Sequence, residues 1–348
     1  MAFPDELIAG GKDSTYPLSL FVVSAHDRAT LKKGGEHVML RLIAAASALA
    51  IMSLGFGYTA SAAQVSINPG AVFQDCADCP EMVVVPPGSF KMGFDGGEEG
   101  RYEGPIRDIS IEYSFAAGRT EVTQAQYAEF VASTGHNSGT GCAIWNGETW
   151  YHTPGADWRD PGYGRDPAPN EPVSCVTWWD AEAYTLWLKA KTGKRYRLLN
   201  ESEWEYAARA GVTGTYTWGD DPNGGCEVAN HYDVSGTNPN IAFVPVTCDD
   251  GFAGVAPVGS LKPNAFGLYD MTGNVWEWVE DCYVMPIPPE PTDGSSVQAS
   301  ETCDRRAVKG GAWPSSLFWQ RPTFRGRDPE DRISHIFGFR IARDLAAE

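Results

Sequence analysis

Near its C-terminus the chain crowds aromatic, glycine and acidic residues into one short block. This is Asn264-Ala-Phe-Gly-Leu-Tyr-Asp-Met-Thr-Gly-Asn-Val-Trp-Glu-Trp278, followed by Lys309-Gly-Gly-Ala-Trp313 and Gly338-Phe-Arg-Ile-Ala-Arg343. It does not read as an ordinary amphipathic helix or strand. It specifies a tightly wound, loop-rich core in which tryptophans pack and buried acids hold something in place. Over the whole chain, 38 glycines and 24 prolines are punctuation too dense for long regular elements. Long irregular connections must then be packed in their own right. Twelve tryptophans and a set of disulfides are the available means.

Three helices are nevertheless legible. The first starts at Thr123, with Gln126 completing a capping box, Tyr127, Phe130 and Val131 on one face, and Gly135 after its end. The second starts at Asp180, buries Tyr184, Trp187 and Leu188, and stops at Gly193. The third has Asn200 as N-cap, Glu203 at the capping-box position, and Trp204, Ala207 and Ala208 as its apolar stripe. Glu81 to Gly93 reads as a strand, a Pro-Gly turn and a second short strand. Arg107 to Phe115 alternates as one half-buried strand. No internal repeat interrupts the pattern.

The N-terminal region reads differently. From Met39 a single arginine precedes an apolar run that ends in Ala60-Ser-Ala62, the plan of a secretory signal peptide. The expected divisions are an upstream mis-start over 1–38, a signal peptide over 39–62, a leader with a cysteine pair over 63–79, and the functional domain over 80–348. This places the mature protein in the periplasm or outside the cell, free of the membrane once the signal is cut. All eight cysteines follow Ala62, which in an exported chain points to disulfides. Proximity suggests Cys76–Cys79, Cys142–Cys175, Cys226–Cys248 and Cys282–Cys303, although eight cysteines allow about 105 pairings. The net charge of −18 makes nucleic acid and anionic membranes poor partners and divalent cations good ones. The oligomeric state is not written in the sequence.

Taken together, several motifs carry a family resemblance. They are Met82-Val-Val-Val-Pro-Pro-Gly-Ser-Phe-Lys-Met-Gly93, Thr120-Glu-Val-Thr-Gln-Ala-Gln-Tyr127, Pro172-Val-Ser-Cys-Val-Thr-Trp-Trp-Asp-Ala181 and Arg197-Leu-Leu-Asn-Glu-Ser-Glu-Trp-Glu-Tyr-Ala-Ala-Arg209, with the C-terminal blocks above. In this order they resemble the formylglycine-generating enzyme, or sulfatase-modifying-factor, domain. The resemblance implies an irregular α+β fold related to C-type lectin-like domains. It also implies oxidation of a substrate cysteine by oxygen, at a pair of copper-binding cysteines just after the Gly-Gly motif. Here Ser315 and Gln320 stand where those thiols belong. A hydroxyl and a carboxamide do not replace two thiolates for Cu(I), so copper and formylglycine generation are not expected. A branch of the family whose iron is held by histidines is a poor match too. His136, His152, His231 and His335 are scattered, with no paired spacing. A periplasmic branch that matures the pyoverdine chromophore as an oxidoreductase also lacks the cysteine pair.

The resemblance further implies two structural calcium sites. One uses the side chains of Asn230 and Asp250 with the carbonyls of His231 and Phe252. The other uses the side chains of Asp270 and Glu277 with the carbonyls of Gly273 and Val275. The alternative for these acids is turn capping or pairing with Arg305, Arg325 or Arg340. Trp276, Ser315, Gln320 and Arg325 are candidates for a pocket. Trp276 is equally well a core residue, and Ser315 lacks a nucleophile's context. Arg325, with Arg321, Arg327 and Arg332, either grips an acidic ligand or pairs with Asp328, Glu330 and Asp331. The expected function is a non-copper oxidoreductase-type modifying enzyme acting on a peptide or small metabolite. The alternative is a non-catalytic, lectin-like binding module, and true formylglycine generation comes third.

Overall fold

A computed structural model describes residues 68–345, except 100, 146–148, 237–242, 290 and 298–302. The expected mis-start and signal peptide, and the first part of the leader, lie outside the described residues.

The core is two-sided because short apolar strands alternate. Val72–Phe73, Met82–Val85, Phe115–Gly118, Ile341–Asp344 and Tyr196–Leu198 form an antiparallel five-stranded sheet in that spatial order. Successive residues face opposite sides. Met82, Ala116 and Ile341 therefore join one apolar cluster, and Val83, Ala117 and Ala342 join another. Helices α1 (Gln124–Thr134) and α2 (Trp178–Thr192) bring Tyr127, Phe130, Tyr184 and Leu188 to the first cluster. Helix α3 (Glu201–Arg209) brings Trp204, Ala207 and Ala208 to the second. The last strand fills the gap between two earlier ones, so the chain's end closes the domain.

All three helices carry full capping boxes, from Thr123, Thr177 and Asn200, each worth about 1 kcal/mol over an uncapped end. Helix α2 begins before Asp180. Thr177 is the cap and Asp180 is its reciprocal partner in the box, which leaves Trp187 half-buried. The strand expected over 107–115 is two strands in different sheets. Arg107–Ile111 pairs with Gly88–Met92, and Phe115–Gly118 joins the large sheet. Strand Met82–Val85 pairs with Phe115–Gly118, so it forms no hairpin with Gly88–Met92 across the Pro-Gly turn.

A second sheet, in the order Gly326–Asp328, Arg306–Lys309, Trp276–Cys282, Phe337–Phe339, carries the C-terminal motifs. A further hairpin pairs Cys142–Trp145 with Trp150–Thr153. Among the described residues no helix or strand lies between α3 and Trp276. That stretch is held by side chains. Asn264 accepts from the backbone N–H groups of Phe266 and Leu268, and Asp233 accepts from those of Ser235 and Asp250. Disulfide Cys226–Cys248 spans it, and Cys76–Cys79, Cys142–Cys175 and Cys282–Cys303 complete the set suggested by proximity. No cysteine is free. Four disulfides suit an oxidising compartment. Among the described residues no helix is long and apolar enough to cross a membrane.

Candidate functional site

The Gly310-Gly311 turn sets up the site. Both glycines have positive φ, and a Cβ on Gly311 would stand 2.5 Å from Gln320 Cγ. The chain therefore runs close against Gln320, and the peptide groups of Ala312 become the hub of the loop. Ser315 Oγ accepts from the Ala312 N–H at 3.0 Å, and Gln320 Nε2 donates to the Ala312 carbonyl at 3.1 Å. Ser315 and Gln320 are thus brought to the two peptide groups of one residue, and both are buried. Gln320 Oε1 meets His231 Nδ1 at 2.5 Å. The other edge of His231 is closed off, since a Cβ on Gly225 would stand 2.3 Å from Nε2. Burial lowers the His231 pKa, so the ring is neutral.

Trp276 is core. It is 5% exposed, and its ring packs on Phe324 at 5.9 Å. Arg325 is also spent inside the domain. It makes two bonds to Glu201, at 2.8 and 2.7 Å, and lies over the Tyr283 ring. Arg321 pairs with the buried Glu103, which also accepts from Thr323. The arginines of 321–332 therefore do not gather into one anion grip, and the acids that hold Arg321 and Arg325 come from distant segments. Two clefts among the described residues stand out. One, of about 460 Å³, lies between Gln74, Asp78, Gln126 and Asn170. The other, of about 210 Å³, is lined by Trp218, Lys262, Asn264, Asp270 and Thr272. Neither is lined by Trp276 or Ser315.

The acidic positions fall into two kinds. Glu277 is complete: Arg340 donates to both of its oxygens at 2.8 to 3.2 Å, and Trp204 Nε1 donates at 2.7 Å. Asp270 is not. It accepts from the Gly259 N–H at 2.6 Å and otherwise faces the fully buried Glu121, neither of whose oxygens has a donor. Burial first, then the Asp270 charge, pushes the Glu121 carboxyl well above its ordinary range. Burial pushes Asp270 up to about 6. Gly273 and Val275 follow on the same loop, where Gly273 presses on Asn230 so closely that a Cβ would stand 2.0 Å from its carbonyl oxygen.

At the other predicted cation position, Asn230 spends its amide nitrogen on the Gly254 carbonyl and on Asn274 Oδ1. This leaves its own Oδ1 buried without a partner. Asp250 accepts from the His231 and Phe252 N–H groups at 2.7 and 2.8 Å, and burial raises its carboxyl to about 6. The structure thus brings Asn230, His231, Asp250 and Phe252 together. Asp270, Gly273, Val275 and Glu277 lie on one loop and strand.

Sequence reasoning missed Glu121 and the aromatic cluster around His335. Glu121 sits in the Thr120-Glu-Val-Thr123 motif as an acid directly before a helix cap, but only the fold shows that it faces Asp270. His335 is 2% exposed and touches the rings of Trp150 (5.4 Å), Tyr163 (6.0 Å) and Trp313 (6.1 Å). Its Nε2 accepts from the Trp145 N–H at 3.3 Å. The scattered histidines and tryptophans of the sequence gave no sign that they would meet.

The family model for the sulfatase-modifying factor enzyme 1-like domain matches residues 68–345. The chain is 33% identical to the formylglycine-generating enzyme of Mycobacterium tuberculosis over 312 residues, covering 76% of this chain and 98% of that protein. It is 32% identical to the inactive C-alpha-formylglycine-generating enzyme 2 of Bos taurus, over 75% of this chain and 87% of that protein. Among solved structures it is similar to PvdO from Pseudomonas aeruginosa, with a TM-score of 0.66 and 36% identity over 80% of this chain and 99% of that one. The loop-rich α+β fold, the ordered motifs and these matches agree: the chain belongs to the sulfatase-modifying factor enzyme 1-like, or formylglycine-generating enzyme, domain family.

Proposed function

We propose that this protein is an exported, calcium-stabilised member of the family that binds a peptide or small metabolite beside the Ala312 loop and does not generate formylglycine by copper–thiolate chemistry. The observation that carries this reading is the state of Ser315 and Gln320. Both are committed to the Ala312 peptide, and no cysteine in the chain is free. A hydroxyl, a carboxamide and four disulfides do not make a donor set for Cu(I). His231 is no substitute base, because its Nδ1 is committed to Gln320 and its Nε2 is closed in against Gly225. The fold can keep a binding surface after its chemistry has gone, because function resides in sites grafted onto folds.

Calcium fits the residues present. The unpartnered Asn230 Oδ1 with Asp250 would hold one ion, and Asp270 with Glu121 would take part in holding the second. A hard cation accepts such mixed oxygen donors and would remove the cost of burying unpaired carboxylates. Four disulfides and a secretory-type N-terminal sequence support export.

A second reading, a non-copper oxidoreductase-type modifying enzyme, is favoured by the 33% identity to an enzyme over nearly its whole length. One experiment tests the first reading. The full chain is incubated with copper, oxygen and a cysteine-bearing sulfatase peptide, and the peptide is analysed by mass spectrometry. No conversion is expected. Formylglycine in the product would overturn the reading.

A further inference from the structure

Seven tryptophans show how this chain treats an indole N–H. Trp178 and Trp278 donate to the Val279 and Val176 carbonyls at 2.9 and 3.1 Å, Trp204 to Glu277, Trp218 to the Asp221 carbonyl, and Trp319 to Glu98. Trp145 and Trp313 break the pattern, because each indole nitrogen is shut off from solvent and has no acceptor. Both belong to the cluster around His335. The Trp145 ring lies 5.5 Å from that of Trp150, which stands edge-on to His335 at 5.4 Å, and Trp313 meets the same imidazole at 6.1 Å.

The imidazole adds a third unmet donor. Its Nε2 accepts from the Trp145 backbone N–H, so the single proton of the neutral ring sits on Nδ1, which is buried and unpartnered. Burial lowers the His335 pKa to about 4, which keeps the ring neutral at physiological pH. The backbone under the ring is fixed, since its N–H donates to the Ala143 carbonyl and its carbonyl accepts from the Tyr163 hydroxyl at 2.9 Å. Turning the ring to find another acceptor would break its Nε2 contact with the Trp145 N–H. Buried donors are otherwise almost always paired, and leaving one unpaired costs about 1–3 kcal/mol.

We propose that Trp145, Trp150, Trp313 and His335 form a subsite for a planar ligand group bearing an oxygen acceptor, a carboxylate or a carbonyl. The rings supply flat apolar walls, and the three N–H groups supply donors and no charge. Trp145, Trp150 and Trp313 are only half-buried, so the cluster reaches the surface. It is also continuous with the Ala312 loop, since Trp313 follows Ala312 directly and anchors its own N–H on the Asn274 carbonyl at 2.9 Å. A ligand that brought only donors would leave the three N–H groups unmet, so the class is defined by its oxygen acceptor. This inference rests on the binding reading above and names the chemistry of its ligand.

The test is an indole ¹H–¹⁵N NMR titration of the full chain with benzoate, benzamide and benzylammonium. The indole signals are assigned by subtraction with Trp145→Phe and Trp313→Phe. The expected result is that benzoate shifts the Trp145 and Trp313 signals and leaves those of Trp178, Trp204 and Trp278 in place, while benzylammonium shifts none. Benzamide acting like benzoate would assign a neutral carbonyl, and benzoate acting alone would assign a carboxylate. Either supports the proposal. His335→Phe should weaken the response about tenfold, whereas Trp179→Phe, on the exposed side of α2, should not change it. No shift with any probe would mean that ordered water alone meets the donors. Equal shifts with benzylammonium would mean unspecific stacking. Both overturn the subsite. Binding of another peptide or metabolite with the Trp145 and Trp313 signals unmoved would sink the subsite and leave the binding reading standing.

Discussion

Two buried acidic positions lie close together in the core, and only one is complete. Glu277 has Arg340 and Trp204, three donors' worth of hydrogen bonds from within the chain. Asp270 and Glu121 have each other and one backbone N–H. The same division recurs at the site. The Ala312 backbone, Ser315 and Gln320 satisfy one another, while the indole N–H groups of Trp145 and Trp313 and the Nδ1 of His335 have no partner. A complete position is architecture. An incomplete one, buried at the same depth, marks where something outside the chain belongs. By this measure the loop that carries Ser315 and Gln320 is architecture, and the incomplete positions are Asp270 with Glu121 and the side-chain donors of Trp145, Trp313 and His335.

The largest effects should come from breaking what is complete. Arg340→Met strands the Glu277 carboxylate and frees two backbone carbonyls, of Gly118 and Tyr269. A loss of about 3–5 kcal/mol is expected by urea unfolding. A loss under 1 kcal/mol would show that the pair is not the keystone it appears in the geometry. Gly273→Ala sets a methyl 2.0 Å from the Asn230 carbonyl oxygen at φ +81°. It should cost at least about 2 kcal/mol and disturb the adjoining cation position with it.

Next come the incomplete positions. Calcium at about 100 times its dissociation constant should stabilise the native protein by about 2.7 kcal/mol, read as a rise in Tm that chelation reverses. Glu121→Gln should cost the apo protein little and should remove part of that rise. A full rise in this variant would take Glu121 out of the site. The pH dependence has a definite sign. Folding raises Asp250 and Asp270 to about 6, so the apo native state holds protons that the unfolded chain releases near pH 4. Apo stability therefore falls as pH rises from about 4 to about 6. The calcium increment should grow across the same interval, measured by melting with calcium and with chelator from pH 4 to 7. An increment that shrinks with rising pH would contradict the assignment.

The smallest effect sharpens the contrast at the site. Ser315→Ala removes one acceptor from the Ala312 N–H and should cost about 1 kcal/mol, with ligand binding retained. Loss of binding without loss of stability would make Ser315 a functional group after all.

Much of the fold was legible because its signals are local. Capping boxes at Thr123 and Asn200 and the αL glycines at Gly135 and Gly193 fixed helix ends within a few residues. The disulfides joined near neighbours in sequence. The Pro-Gly turn misled, because strand pairing is a long-range choice and Met82–Val85 found Phe115–Gly118 instead. At the site, the sequence marks the missing thiols plainly, since Ser315 and Gln320 stand in a recognisable motif. It gives no view of Glu121 against Asp270, or of Trp145 and Trp313 around His335. Those contacts join Glu121 to Asp270 and Trp145 to His335, pairs more than a hundred residues apart, through side chains whose type alone reads as core.

The account turns on the absence of a thiol pair, and a free-thiol count tests it most directly. The mature protein is denatured without reductant, alkylated and weighed by mass spectrometry. The account predicts no alkylated cysteine, with all eight recovered as four disulfides. Two alkylated cysteines, protected when Cu(I) is added before denaturation, would contradict it and restore copper–thiolate oxidation as the function.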